Sequence, residues 1–405
     1  MKRRDFIKGS IVALSATAAS GMEGSSDIVG IGVIGVGAQG SVLLDRLLRI
    51  DGVKVVAICD IYPPHLQKGL ERARDAKGYE DYRRMLDEEK EMDAVVIATP
   101  LYLHAPMSID AMEAGKHVFC EKTMAYSVDQ AKAMARVSRR TGKILQIGHQ
   151  RRYNPLYNHA LKLIREQKVL GRITHVRALW HRNSNWRRAV PDPKYERLLN
   201  WRLYKEYSGG LMTELGSHQI DVVNWFLDSV PISVVGVAGL DYWRDGREVW
   251  DNVGCIFEYP NGVKLFYTSI TTNSYDHYYE QFMGDEGTIL LLGEKEGKLI
   301  REPKAKELAW ERFAKKGRTE TGREGILLDA HATARERQEG ETEKITGAED
   351  AYFLELQGFV SCIREGEKPL CDEEAGLKSA VAVLMANKAM EKGERLAISP
   401  DMYKV

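Results

Sequence analysis

Cysteine is scarce in this chain, which has five thiols, at positions 59, 120, 255, 362 and 371. The count is odd and no two fall at a metal-ligand spacing, which argues against a disulfide framework and against a cysteine-held metal. Cys59 and Cys120 close apolar runs and are expected to be buried, inert thiols, whereas Cys362 and Cys371 are a pair that an oxidising compartment would allow to join. An excess of either charge is also missing, with 58 basic residues against 58 acidic ones. That balance leaves no footprint for nucleic acid or for an anionic membrane surface. No apolar stretch approaches the roughly 20 residues of a membrane-spanning helix, so no span is expected.

What the chain does carry starts with Lys2-Arg3-Arg4-Asp5-Phe6-Ile7-Lys8, a short apolar run from Gly9 to Ala19, and the cleavage-like Ala16-Thr-Ala18. This resembles a twin-arginine export signal, which implies the twin-arginine machinery as a partner and a periplasmic or extracytoplasmic destination. A basic cytosolic N-terminus is the alternative. Loss of the segment would remove four basic residues and Asp5, taking the net charge from 0 to −3. About 385 residues would remain, enough for two domains with cores of their own.

The stretch Ile28 to Ser41 is an apolar run that ends in Gly35-x-Gly37-x-x-Gly40 and passes into Val42-Leu-Leu-Asp-Arg-Leu-Leu. It reads as a strand, a tight glycine turn and an amphipathic helix, the pattern of a dinucleotide site. Gly35 permits the turn, Gly37 admits a pyrophosphate to the backbone, Gly40 allows close packing, and the helix start, with Ala38 and Gln39, offers free N–H groups. Asp60 ends the next strand, Val53 to Asp60, where its carboxylate can accept the adenosine-ribose hydroxyls. Ile61 and Tyr62 follow it with no Arg or Ser to meet a 2′-phosphate, which favours NAD over NADP. Arg72 and Arg74 keep NADP open.

Beyond Asp60, helices and buried strands alternate: helices over 63–76, 81–87, 103–114 and 127–141, with strands over 93–98, 117–120 and 144–147. That rhythm predicts an α/β fold opening with a doubly wound parallel sheet over 28–150. After a helix over 156–167 the rhythm changes to strands over 173–180, 232–240, 253–258, 263–270, 280–283 and 288–292, joined by short turns. A second, α/β domain on a mostly antiparallel sheet is expected over 151–405, with a polar, partly extended stretch over 294–343 and closing helices over 351–364 and 375–392.

Ligands of open parallel sheets bind beyond the carboxyl ends of the strands. Thr99-Pro100 and Glu121-Lys122 occupy such places, and His104 opens the helix after the first of them. Lys122 would sit where an ammonium stabilises a developing alkoxide, though a surface lysine is the commoner reading of that position. After the Gly209-Gly210 break, Glu214 and His218 stand four apart on a helix. His218 is a candidate to take a hydroxyl proton with Glu214 orienting it; an ordinary solvated Glu–His pair is the alternative.

The glycine turn, Glu121-Lys122 after the fifth strand and the carboxylate-x-x-x-His helix together resemble the family of glucose-fructose oxidoreductase, inositol dehydrogenase and MocA, over roughly residues 29–392. The resemblance implies a Rossmann domain, a second domain whose large open sheet covers the nicotinamide and mediates a homo-oligomer (dimer or tetramer), and oxidation or reduction of sugar and cyclitol hydroxyls. It gives Lys122, Glu214 and His218 the catalytic roles. Two departures stand out: Thr123 replaces the family's usual proline, commonly cis, and Glu214 stands where aspartate is usual.

Residues 151–207 are dense in Arg, Trp, Tyr, His and Asn. Aromatic faces pack on sugar rings while cations and amides bind hydroxyls or anionic groups, so Arg151, Tyr153, Arg182, Trp186 and Trp201 are candidate carbohydrate contacts, with His277 and Tyr278 beyond them. A core or an oligomer interface would explain the same density. Export implies a tightly bound NAD that must be regenerated within a turnover or by a second substrate. The sequence therefore reads as an NAD-dependent sugar, glycoside or cyclitol dehydrogenase; the alternative resembles the family's α-N-acetylgalactosaminidases, which oxidise, eliminate and re-reduce. A non-catalytic sugar-binding or NAD-binding module is the third reading.

Overall fold

The computed structural model describes residues 28–318, 322–328 and 350–405. The expected export signal lies outside them, as does part of the polar 294–343 stretch.

Short apolar runs form the first sheet because both of its faces are covered. β1 (Val29–Ile34), β2 (Val53–Cys59), β3 (Lys77–Tyr79), β4 (Ala94–Ile97), β5 (His117–Glu121) and β6 (Leu145–Gly148) lie parallel in the order β3-β2-β1-β4-β5-β6. β1 and β4 are buried at every residue, as parallel strands between helices must be. The order reverses between β1 and β4, which opens a crevice at their carboxyl ends. β3 was not anticipated: three residues with only Tyr79 buried carry no periodic signal.

In the second domain β7 (Ile173–Asn183) leads a larger sheet with β8 (Ser233–Gly239), β9 (Asn252–Glu258), β10 (Lys264–Ile270), β11 (Thr272–Gly284), β12 (Gly287–Leu292) and β13 (Glu296–Arg301). β14 (Lys316–Arg318), β15 (Glu324–Leu328) and β16 (Leu396–Ala397) complete it among the described residues, in the order β14-β15-β13-β12-β11-β7-β10-β9-β8-β16. Pairing is antiparallel except between β7 and β10, so the sheet is mixed but mostly antiparallel. β11 begins eight residues before the expected strand at 280, and its register against β7 shifts between Asn273 and Tyr278, where Asp276 and His277 take left-handed backbone angles.

The helix Ala351–Glu365 packs on the first domain. Its Leu356, Phe359 and Val360 share a core with Val29, Ile31, Leu43 and Phe119, and Asp350 ahead of it pairs with Arg46. At about 1.5–3 kcal/mol for each fully buried large apolar side chain, this distant segment contributes materially to holding the dinucleotide sheet. The helix Glu373–Lys392, capped by Asp372, lies against both Val128–Thr141 and Ser217–Leu227 and joins the two domains. All five cysteines are buried and free. Cys362 and Cys371 therefore do not pair; the Cys371 thiol faces His149 and Asp221 instead. Those three groups lie within 4.8 Å of one another, but the Arg152 guanidinium already takes both oxygens of Asp221, at 2.8 and 2.9 Å.

Candidate active site

The cleft runs along the carboxyl ends of β1, β2, β4 and β5 and encloses about 1350 Å³ open to solvent. Its lining runs from Asp60 and the glycine turn to Lys122 and His218, the course an extended dinucleotide would follow. Gly35 turns the chain at φ 84°, and a Cβ there would lie 2.7 Å from the Ala98 oxygen. A Cβ on Gly40 would lie 1.8 Å from the Gly35 oxygen, so Gly40 sets the contact between helix and strand from behind the cleft wall. The helix Ala38–Leu47 has no side-chain cap, and its first turn, with Gly37, Ala38 and Gln39, faces the cleft. Uncapped N–H groups at a helix start are a ready anion site, which fits a pyrophosphate.

Asp60 holds the turn after β2 by accepting from the Val36 and Tyr62 amides, both at 2.9 Å, and its carboxylate faces the same cleft. Glu80 lines this end too, while Arg72 turns away to Asp45 and neither Arg72 nor Arg74 lines the cleft. Farther along, Thr99 and Pro100 line the wall, and the Thr99 hydroxyl is buried without a partner. His104 ties the β4 and β5 ends together, its Nδ1 2.8 Å from the Thr123 oxygen and its Nε2 3.0 Å from the Thr99 oxygen.

Lys122, Glu214 and His218 meet at the far end. Lys122 Nζ donates to the Glu214 backbone oxygen at 2.8 Å, and Thr123 Oγ1 donates to the Thr213 oxygen at 2.8 Å, so two successive residues after β5 grip the chain just ahead of His218. The Lys122–Thr123 peptide is cis although Thr123 is no proline, so the proline's absence has not removed the cis turn. Glu121 is buried and accepts from Gln39 Nε2 at 2.8 Å, which links the glycine turn to this end. Burial pushes the Lys122 ammonium below its usual pKa, against the pull of Glu214 and Glu121, and pushes the Glu121 carboxyl up. His218 is held well below the ordinary histidine range by burial first and by the charge of Lys122 second, and its Nδ1 has no partner.

The expected pairing of Glu214 with His218 is absent. Met212–Gly216 is a π-helical turn ahead of the α-helix Ser217–Leu227, and its wider winding no longer stacks residues four apart. Glu214 binds Arg202 Nε at 2.8 Å and sits 3.5 Å from the Ser208 hydroxyl, while the His218 ring lies 5.3 Å from that of Trp180.

The candidate sugar contacts divide. Trp201 lines the cleft. Arg151 does not: it is 1% exposed and locked to Glu280 and Glu294, a charge buried only because it is paired. Tyr153 is held in the interior by Gln146 and the Leu370 amide. His277 is exposed on the β11 bulge, and Tyr278 stacks on Trp180 at 4.5 Å with its hydroxyl on the Gly293 oxygen. Arg182 and Trp186 do not line the cleft; the Arg182 guanidinium lies 5.2 and 5.3 Å from the Trp180 and Trp186 rings, and Trp180 in turn lies 5.3 Å from His218. Reading the sequence missed Arg188, Arg202, His65, Tyr102 and Tyr352 as cleft residues. Arg188 and Arg202 were within sight, next to Trp186 and Trp201; the other three carry no local signal.

A dinucleotide turn, a strand-end lysine and a buried histidine in one cleft define a nicotinamide-dependent oxidoreductase. Residues 29–149 match the NAD-binding Rossmann fold of the Gfo/Idh/MocA oxidoreductase family and residues 162–398 its C-terminal alpha/beta domain. The chain belongs to that family. It is 28% identical over 351 residues to an inositol 2-dehydrogenase of Rubrobacter xylanophilus, covering 86% of each chain. A glycosyl hydrolase family 109 protein of Shewanella pealeana is 32% identical over 186 residues, 44% of this chain and 40% of that one. Among solved structures, a levoglucosan dehydrogenase in complex with NADH and levoglucosan matches with TM-score 0.74 and 20% identity, over 91% of this chain and 99% of that one.

Proposed function

We propose that this protein is an NAD-dependent dehydrogenase of a sugar, glycoside or cyclitol hydroxyl, with Lys122 and His218 as the groups that touch the reacting alcohol. The observation that carries the reading is that Lys122 and His218 line the same cleft as the glycine turn, with Lys122 Nζ bound to the Glu214 oxygen one turn before His218. The first turn of Ala38–Leu47 would hold the pyrophosphate, Asp60 the adenosine ribose, and Thr99 and Glu121 the nicotinamide half; the cofactor supplies the hydride acceptor. Glu80 beside Asp60 would repel a 2′-phosphate, which supports NAD over NADP.

His218, kept neutral by burial, takes the hydroxyl proton at its ring nitrogen as hydride leaves the carbon. Lys122 spends one Nζ proton on the Glu214 backbone and has the others for the substrate oxygen, where they stabilise alkoxide character. Glu214 is a positioning residue: its backbone fixes Lys122 and its carboxylate fixes Arg202.

The test is to mix protein and NAD with cyclitols, free sugars and glycosides. NADH formed in step with a keto product supports the dehydrogenase. Release of aglycone without net NADH would support the second reading, a redox-neutral glycosidase, which the partial likeness to the glycosyl hydrolase family 109 protein favours. Export by the twin-arginine route with NAD already tightly bound belongs to this proposal, supported by Arg3-Arg4 and the apolar run that follows. So does a homo-oligomer: Val235, Ile256 and Phe266 are paired across β8, β9 and β10 and form an exposed apolar row on the sheet.

A further inference from the structure

The far end of the cleft holds more positive charge than its own residues balance. Lys122, Arg188 and Arg202 line it and Arg182 lies near enough to act on Lys122 and His218, while among the described residues only Glu214 and Glu121 oppose them, with Glu121 pushed toward its neutral form by burial. Arg202 is spent on Glu214. Among the described residues the Arg182 and Arg188 guanidinium groups have no hydrogen-bond or acidic partner. Their surroundings nonetheless fix them. Trp180 and Trp186 flank Arg182, and Trp186 adopts φ 61°, a left-handed conformation that a bulky side chain rarely takes. The buried Asn200 clamps the Arg188 backbone from both sides, accepting from its N–H at 2.7 Å and donating to its oxygen at 3.0 Å, and this places Arg188 in the cleft wall. Arg188 is solvent-exposed in that wall, open to a ligand, and partial burial, with the nearby charge of Arg202 added to it, lowers its pKa.

We propose that the substrate is an anionic sugar, bearing a carboxylate or a phosphate that Arg182 and Arg188 bind while its hydroxyl faces Lys122 and His218. This rests on the dehydrogenase reading and narrows its substrate class. Guanidinium groups match planar carboxylates and phosphate oxygens in pairs of parallel hydrogen bonds. A neutral cyclitol would offer neither guanidinium a charged partner.

Calorimetric titration of the NADH-loaded protein with glucuronate, galacturonate and glucose-6-phosphate, each beside its neutral parent sugar, separates carboxylate from phosphate. At least one anion is expected to bind roughly tenfold or more tightly than its parent, and added salt to weaken that preference. Arg182→Gln and Arg188→Gln should each erode the preference, with Arg182→Lys restoring part of it. Equal binding of anions and parents by the unaltered protein overturns the proposal, whether or not the variants fold. A preference untouched by both substitutions also overturns it, as does reduced NADH affinity with selectivity intact, which would assign the two cations to the cofactor's pyrophosphate. The titration reads binding alone, so failure of hydride transfer with every sugar would count against the dehydrogenase reading and not against this one.

Discussion

At His218 one residue's environment sets a pH profile. Its imidazole is held well below the ordinary 6.5 by burial and by Lys122, so the neutral, proton-accepting form persists far into acid. Substrate oxidation should therefore stay level as pH falls through 6.5, and drop only when the lowered pKa is reached and the ring becomes cationic. An exposed histidine base would lose activity near 6.5. Measurement of kcat/KM against pH tells the two apart, and His218→Gln should abolish the acid limb together with most of the activity. The types of these residues were legible in the sequence, but their partners were not. Arg151 and Glu280 are far apart in the chain and neither bears a mark of the other, so a buried structural pair passed for a sugar contact. Glu214 and His218 were read at α-helical spacing, and a single π turn was enough to part them.

Among the elements, the glycine turn was the most legible, because only glycine tolerates the angles and contacts it requires. Gly40→Ala would drive a Cβ to 1.8 Å from backbone, against an oxygen that cannot rotate away. An unfolding free energy lower by about 1–3 kcal/mol is expected, along with weaker NADH binding, measured by urea titration and fluorescence. The parallel strands were legible for a related reason, since burial on both faces leaves a continuous apolar run. β3 and the left-handed bulge of β11 were not, being too short or too irregular to show a period. Nor does the amphipathic run at Ala351–Glu365 name the sheet it covers; only the packing of Phe359 on Phe119 does that.

For the whole molecule, two properties follow from what is buried and what is left open. His149 is 2% exposed, and burial, the largest influence, lowers its pKa to about 4, below an unfolded value near 6.5. The unfolded chain thus binds a proton first as pH falls. Stability present above pH 6.5 should be lost progressively toward pH 4, and His149→Gln should flatten that part of the thermal-midpoint curve. On the open sheet, Phe266→Asp should shift the proposed homo-oligomer toward monomer in light scattering while the fold survives, since Phe266 is 40% exposed. An unchanged mass would remove that face from the interface.

The chemistry assigned to the cleft is tested most directly by the NADH absorbance of NAD-loaded protein after mixing with the sugar panel, in the unaltered enzyme and in Lys122→Met. NADH is expected to form with at least one sugar and to form about 10²–10⁴-fold more slowly in Lys122→Met, with NADH affinity retained. Formation at an undiminished rate in that variant, or with no sugar at all, would contradict the account.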